Sequence, residues 1–194
     1  DPLVSLVDTA FVGQLGTEAL GALGVNAGIF ALAFLVFNFL AYGTTPLVAG
    51  ATGEGRHEDA QRVISAGMLL SVVLGLLGTT GLVWLAEPIA SLMGTKPEMW
   101  EDTLAYLRIR AWAAPAVLLV TVGNGAFRGL GDTRTPLWIT LALNLVNLVL
   151  DPLLIFGFGW GIAGAAWATL AAQWLGALAF VALLLPKPLP TLSH

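Results

Sequence analysis

Cysteine is absent from the 194 residues and charge is scarce, with 12 Asp and Glu, 8 Lys and Arg, and 2 His. Without a thiol there is no disulfide framework, no thiolate metal site and no cysteine nucleophile, and the redox compartment is left open. Charged residues make up 10% of the chain, against about a quarter in a soluble domain. No basic patch marks a nucleic-acid surface. No Walker loop or serine-nucleophile motif occurs, so neither ATP hydrolysis nor acyl chemistry is supported. The net charge of −4 decides little, because the placement of so few charges matters more than their sum.

What is present is apolar length. Between Glu18 and Glu54 lie 35 uncharged residues, more than the ~20 that one membrane crossing needs. Runs of this kind recur and define an all-α polytopic membrane protein. The expected architecture is a six-transmembrane-helix bundle with helices at about 1–15, 19–51, 60–86, 99–127, 136–156 and 162–185. Residues 1–185 would form this bundle, and PKPLPTLSH (186–194) reads as the start of a Pro-rich linker. Asp1-Pro2-Leu3 enters apolar sequence without Met, a basic region or a signal-peptide pattern. The first helix therefore reads as the remnant of a longer one inside a longer protein. Gly43 and Pro46 are expected to bend the second helix.

The few basic residues orient the bundle. Loops after helices two, four and six carry Arg56, Arg62, Arg128, Arg134 and Lys187, whereas the opposite loops carry only Lys96 among Glu87, Glu98, Glu101 and Asp102. The positive-inside rule makes the first set cytoplasmic, with the start of helix one and the end of helix six on that side. The expected location is the plasma (inner) membrane of a prokaryote. Arg108 and Arg110 enter the fourth span from the outer side, where they either snorkel to the surface or form an interior ion pair.

LALNLVNLVLDPLL (141–154) carries the chemistry. As a helix, it and the residue before it place Thr140, Asn144, Asn147 and Asp151 on one stripe roughly 60° wide, with Leu and Val elsewhere. Interhelical hydrogen bonding would account for the amides. An ionisable group at membrane depth points instead to function. At about 1.5 Å per residue, Asp8 and Thr169 lie about 12 Å below the outer ends of helices one and six. Tyr106 lies about 12 Å down helix four and Asp151 about 9 Å down helix five, with Asn147 one turn deeper. Four helices thus bring polar groups to one depth, which favours a single shared site. Two carboxylates, an amide, a hydroxyl and a phenol suit a hard monovalent cation or a proton. Pro152, directly after Asp151, offers a hinge beside the carboxylate.

Other motifs read as decoys. Gly159-Trp160-Gly161-Ile162-Ala163-Gly164 matches G-x-G-x-x-G but follows a membrane helix and has leucine where a dinucleotide site needs an acid. A tight turn with small residues for close helix packing explains it. Gly129-Leu130-Gly131-Asp132 resembles the G-x-G-D of intramembrane aspartyl proteases, but lies in a basic loop without the partner motif. His57 reads as a solvated loop residue. Trp84, Trp100 and Trp160 fall near span ends, while Trp112, Trp138, Trp167 and Trp174 read as lipid-facing or packing residues.

VDTAFVGQLGTEALGALGVN, GAFRGLGDTRTP and LNLVNLVLDPLLIFG together resemble the multidrug and toxic compound extrusion (MATE) family, in particular its prokaryotic DNA-damage-inducible branch. The resemblance covers essentially the whole chain and corresponds to the first six-helix lobe. It implies a twelve-helix, two-lobe exporter working by alternating access, driven by inward movement of protons or sodium. It implies a coupling-cation site at Asp8, Tyr106, Asn147, Asp151 and Thr169, the same five residues that the depth estimate selects. Sodium would bind at Asp8, Asn147, Asp151 and Thr169. No cofactor beyond the coupling ion is expected, and the implied partners are lipid, an amphipathic or cationic small molecule and the missing C-terminal lobe. The resemblance implies a transporter, not an enzyme. A lipid-linked precursor flippase of the same superfamily, which would need a larger and more cationic cavity, remains the alternative. An intramembrane hydrolase using Asp8 and Asp151 as a dyad is the more distant one.

Overall fold

The computed structural model describes residues 2–185, without the side chains of residues 2–5 and 7. Among the described residues there are helices and no strands. Nine α-helices follow in order: α1 (Pro2–Val12), α2 (Thr17–Leu35), α3 (Phe39–Gly53), α4 (His57–Trp84), α5 (Ala86–Leu92), α6 (Trp100–Ala111), α7 (Ala114–Gly129), α8 (Arg134–Pro152) and α9 (Gly161–Leu184). All but the short connecting helix α5 group into six rods. The first is α1 with a 3-10 turn, Gly13–Leu15, and the second is α2 and α3 joined through a 3-10 turn, Val36–Asn38. The third, fifth and sixth are α4, α8 and α9, and the fourth is the bent pair α6–α7. Among the described residues four helical stretches are long and apolar enough to cross a membrane, and five if the bent pair is one span. At 11 residues, α1 is too short to cross by itself. The expected linker, 186–194, and Lys187 lie outside the described residues.

Counting the π turn Leu153–Gly157 as the end of the fifth rod, rod ends fall within three residues of the sequence expectation, and the departures lie inside rods. The irregular turn of the second rod is at Val36–Asn38, upstream of Gly43 and Pro46, both of which sit within α3. Thr44 and Thr45 donate to the carbonyls of Leu40 (2.6 Å) and Ala41 (3.0 Å), just before the turn from which Pro46 removes an amide. The fourth rod, read as one helix over 99–127, bends by 51° between α6 and α7. Pro115 is the cause: it cannot donate to Ala111, and its ring crowds that carbonyl. The structure supplies replacement donors. Thr79 Oγ1 donates to the Ala111 carbonyl at 2.8 Å, and Trp174 Nε1 donates to the Trp112 carbonyl at 3.1 Å. Gly75 lets α4 press against the break, since a Cβ there would stand 2.3 Å from Pro115 Cα.

Packing forms two apolar centres. One joins α2, α4, α6 and the start of α9 through Ala22, Ile29, Leu82, Leu107 and Ala165. The other joins α3, α4, α7 and the end of α9 through Val48, Ile64, Leu119, Val122 and Phe180. Small residues bring backbones together, as interhelical packing in lipid requires. Long apolar side chains on the outward faces, such as Leu69, Leu77, Leu141, Leu145 and Trp138, are exposed. This exposure suits a hydrocarbon solvent.

The two glycine motifs have structural explanations. Gly159 and Gly161 adopt φ +69° and +54° in the turn between α8 and α9, a region that favours glycine. Gly164 lies against the backbone of the π turn Leu153–Gly157, where a Cβ would stand 2.7 Å from the Leu154 carbonyl carbon. Asp132 caps α8, accepting from the amides of Arg134 (2.9 Å) and Thr135 (3.1 Å) and from Thr135 Oγ1 (2.6 Å). The Thr135 hydroxyl, then the Thr135 amide, hold this loop carboxyl below its ordinary range.

Candidate coupling-ion site and substrate cavity

Three rods bring a polar cluster into apolar surroundings. Asp8 comes from α1, Asn147 and Asp151 from one face of α8, and Thr169 from α9, all buried. The four-residue spacing of Asn147 and Asp151 stacks them on consecutive turns, and Asn147 Nδ2 donates to Asp151 Oδ1 at 3.3 Å. The same nitrogen reaches Thr169 Oγ1 at 3.4 Å. Thr169 has one hydroxyl proton and two acceptors in reach, the Ala165 carbonyl at 2.9 Å and Asp8 Oδ2 at 3.2 Å. Asn147 and Thr169 thus link the Asp8 and Asp151 carboxyls within one cluster. Two carboxylates so placed repel unless a proton or a cation lies between them.

The cluster is left short of donors. Asp8 Oδ1, Asn147 Oδ1 and Asp151 Oδ2 are buried and have no hydrogen-bond partner, although most buried polar atoms in folded proteins have one. Three such oxygens beside a hydroxyl form an acceptor set that fits a hard monovalent cation or a proton. Among the described residues there is no group of three or more His, Cys, Asp or Glu side chains suited to a metal ion. The oxygen set here owes half its members to amide and hydroxyl groups.

Asp8 and Thr169 also line a cavity of about 620 Å³ between α1, α2, α6, α7 and α9. Tyr106, buried on α6, lines this cavity beside Arg110. Thus four of the five expected residues are joined by hydrogen bonds, and the fifth shares their cavity. Thr140 and Asn144 continue the stripe of α8 but are only half-buried and stand outside the cluster. Arg108 and Arg110 separate. Arg108 reaches Glu87 at 2.9 Å on the exposed side, whereas Arg110 is among the residues lining the cavity, its guanidinium 5.2 Å from the centre of the Phe30 ring and its Nε and Nη1 buried. Gln173 is a cavity residue that the sequence reading passed over. Its signal was its place one helical turn beyond Thr169.

A bent helical bundle of apolar rods around a buried polar cluster and an adjoining cavity is the build of a multi-pass membrane transporter lobe. The comparisons are specific about which. The family model described as MatE matches residues 2–153, and the chain belongs to that family, whose members are transporters rather than enzymes. Protein DETOXIFICATION 44, chloroplastic, of Arabidopsis thaliana is 38% identical over 94% of this chain and 37% of its own length. The inward-facing form of a multidrug resistance MATE family transporter of the MOP superfamily superposes with TM-score 0.89 at 31% identity. That match covers 95% of this chain and 42% of the other. The outward-facing form of a transporter with the same description gives TM-score 0.89 at 31% identity, over 96% and 41%. The chain therefore spans about two-fifths of the length of the relatives it matches.

Proposed function

We propose that residues 1–185 are the first six-helix lobe of a secondary transporter that exports amphipathic, often cationic, compounds by alternating access. The transport is driven by protons or sodium ions moving inward, in a prokaryotic plasma membrane whose inner face holds the Arg-rich loops. The observation that carries this reading is the trio of buried, partnerless oxygens on Asp8, Asn147 and Asp151, grouped around Thr169. In this reading Asp8 and Asp151 bind the coupling ion, with Asn147 and Thr169 completing its oxygen shell and Tyr106 closing the cavity side.

The residues act as follows. Without an ion the two carboxylates repel and α1 is pushed from α8. With the ion bound, α1, α8 and α9 are drawn together through Asp8, Asp151 and Thr169. Pro152 and the π turn that follows it let the end of α8 adjust without breaking its contact with α9. The cavity beside Asp8 changes shape as α1 moves, and substrate is displaced outward. Reciprocity requires that substrate and ion alter each other's affinity by the same factor.

The test is efflux of a fluorescent cationic dye from vesicles holding the full-length protein, under an imposed proton gradient or an imposed sodium gradient. Wild type should respond to one gradient and Asp8→Asn to neither, while remaining folded. Gradient-driven efflux retained in Asp8→Asn would sink the assignment. A lipid flippase reading would need several cavity cations, whereas Arg110 is the one cationic side chain among the described residues lining this cavity.

A further inference from the structure

Four arginines of the described residues lie in the loops that the positive-inside rule makes cytoplasmic, and they are not used alike. At the turn between α3 and α4, Arg56 lies 2.7 Å from Glu54 and 2.9 Å from Asp59. Arg62 lies 3.5 Å from Asp59 and 3.8 Å from Glu58. Two arginines there meet three carboxylates. At the turn between α7 and α8, Arg128 and Arg134 are exposed, and neither is in an ion pair among the described residues. The carboxylate of that turn, Asp132, is already engaged by the amides of Arg134 and Thr135 and by the Thr135 hydroxyl. Arg134 also begins a stripe along α8. Trp138, Leu141, Leu145 and Leu148 follow it at spacings of four, three, four and three, and all of them are exposed. A cation, an aromatic ring and an aliphatic row thus succeed one another down one helix face, in the order in which a membrane presents headgroup, interface and hydrocarbon.

We propose that the α7–α8 turn binds an anionic phospholipid of the inner leaflet, its phosphate held by Arg128 and Arg134 and one acyl chain lying along Trp138, Leu141 and Leu145. Charge complementarity selects this occupant. A guanidinium fork matches two phosphate oxygens, and unpaired basic groups between membrane helices on the cytoplasmic side attract anionic headgroups. The α3–α4 turn faces the same side but carries an excess of carboxylates, so it attracts no such headgroup. The choice of leaflet rests on the positive-inside orientation. No residue of the Asp8–Asp151 cluster or of its cavity takes part.

Native mass spectrometry of the full-length protein, titrated in detergent with dioleoylphosphatidylglycerol or dioleoylphosphatidylcholine, reads the two dissociation constants for lipids with the same chains. The phosphatidylglycerol should bind at least tenfold tighter. Arg128→Gln and Arg134→Gln should each reduce that preference about fivefold, while changing phosphatidylcholine affinity less than twofold. Arg62→Gln, on the same face but already paired, should leave the preference unchanged. Glycerophosphoglycerol, the headgroup without chains, should bind at least tenfold more weakly than the phospholipid, and equal binding would make this a free-phosphate site and overturn the lipid reading. Equal affinity for the two phospholipids in the unsubstituted protein overturns the proposal even if no variant folds. A preference that survives in the folded double variant of Arg128→Gln and Arg134→Gln, or that falls as far in Arg62→Gln, also overturns it. No gradient is present, so the result stands whether or not cation-driven efflux is found.

Discussion

Of the prolines in the apolar rods, Pro115 and Pro152 stand in contrasting surroundings. At Pro115 the disrupted backbone is repaired: Thr79 and Trp174 donate to the carbonyls of Ala111 and Trp112, and Gly75 lets α4 seat directly on the ring. At Pro152 the nearby side chains are left wanting. Asp151 Oδ2 and Asn147 Oδ1 lack partners, and so does Asp8 Oδ1 across the interface. A proline whose consequences are satisfied by neighbouring donors is a fixed part of the frame. In the coupling reading, one placed beside unsatisfied buried acceptors is where an ion completes the structure and where order depends on that ion. The bend at Pro115 should therefore matter for folding and the cluster at Pro152 for transport.

The largest effect expected on the frame is that of Gly75→Leu. Its Cβ would meet Pro115 backbone at 2.3 Å, overpacking that costs about 3 kcal/mol or more. The folded, monodisperse yield in detergent should collapse, and normal yield would remove the rigid frame from this comparison. Next comes Asp151→Asn, which should lower gradient-driven efflux at least tenfold with little change in the thermal unfolding midpoint. A large fall in that midpoint would make Asp151 a structural residue. Thr79→Val removes the donor to Ala111 and should cost about 1–2 kcal/mol, read as a lower unfolding midpoint with the efflux response to each gradient unchanged. The smallest effect belongs to the loop. Asp132→Ala should cost about 1 kcal/mol through the lost cap of α8. Because the Thr135 hydroxyl holds the Asp132 carboxyl below its ordinary range, the cap's contribution is full above that range and fades as pH falls through the lowered value. The difference between wild type and Asp132→Ala should therefore shrink in acid, and a difference that grew would contradict the capping role.

Much of the site was legible because a polar residue in a long apolar run is conspicuous. Helical spacing set Asn147 above Asp151, and counting from turns put Asp8, Thr169 and Tyr106 at one depth. Most rods were legible from their apolar lengths, although the fourth carries Arg108 and Arg110. The break at Trp112 and Ala113 was less so, although Pro115 was visible, because whether a proline bends or stops a helix depends on donors elsewhere. Here those donors lie 36 residues upstream, at Thr79, and 59 residues downstream, at Trp174. The different fates of Arg108 and Arg110 had the same origin. They are two residues apart, and so on different faces of α6, but only the packed bundle says which face meets Glu87 and which meets the cavity.

The most direct measurement is ion binding to the full-length protein in nanodiscs, following radioactive sodium uptake and proton uptake in parallel. The account predicts that one of the two ions binds to wild type and to Thr79→Val, and that this binding is lost in both Asp8→Asn and Asp151→Asn. Unchanged binding in the two aspartate variants would contradict it, because the partnerless oxygens at Pro152 would then not be the coupling site.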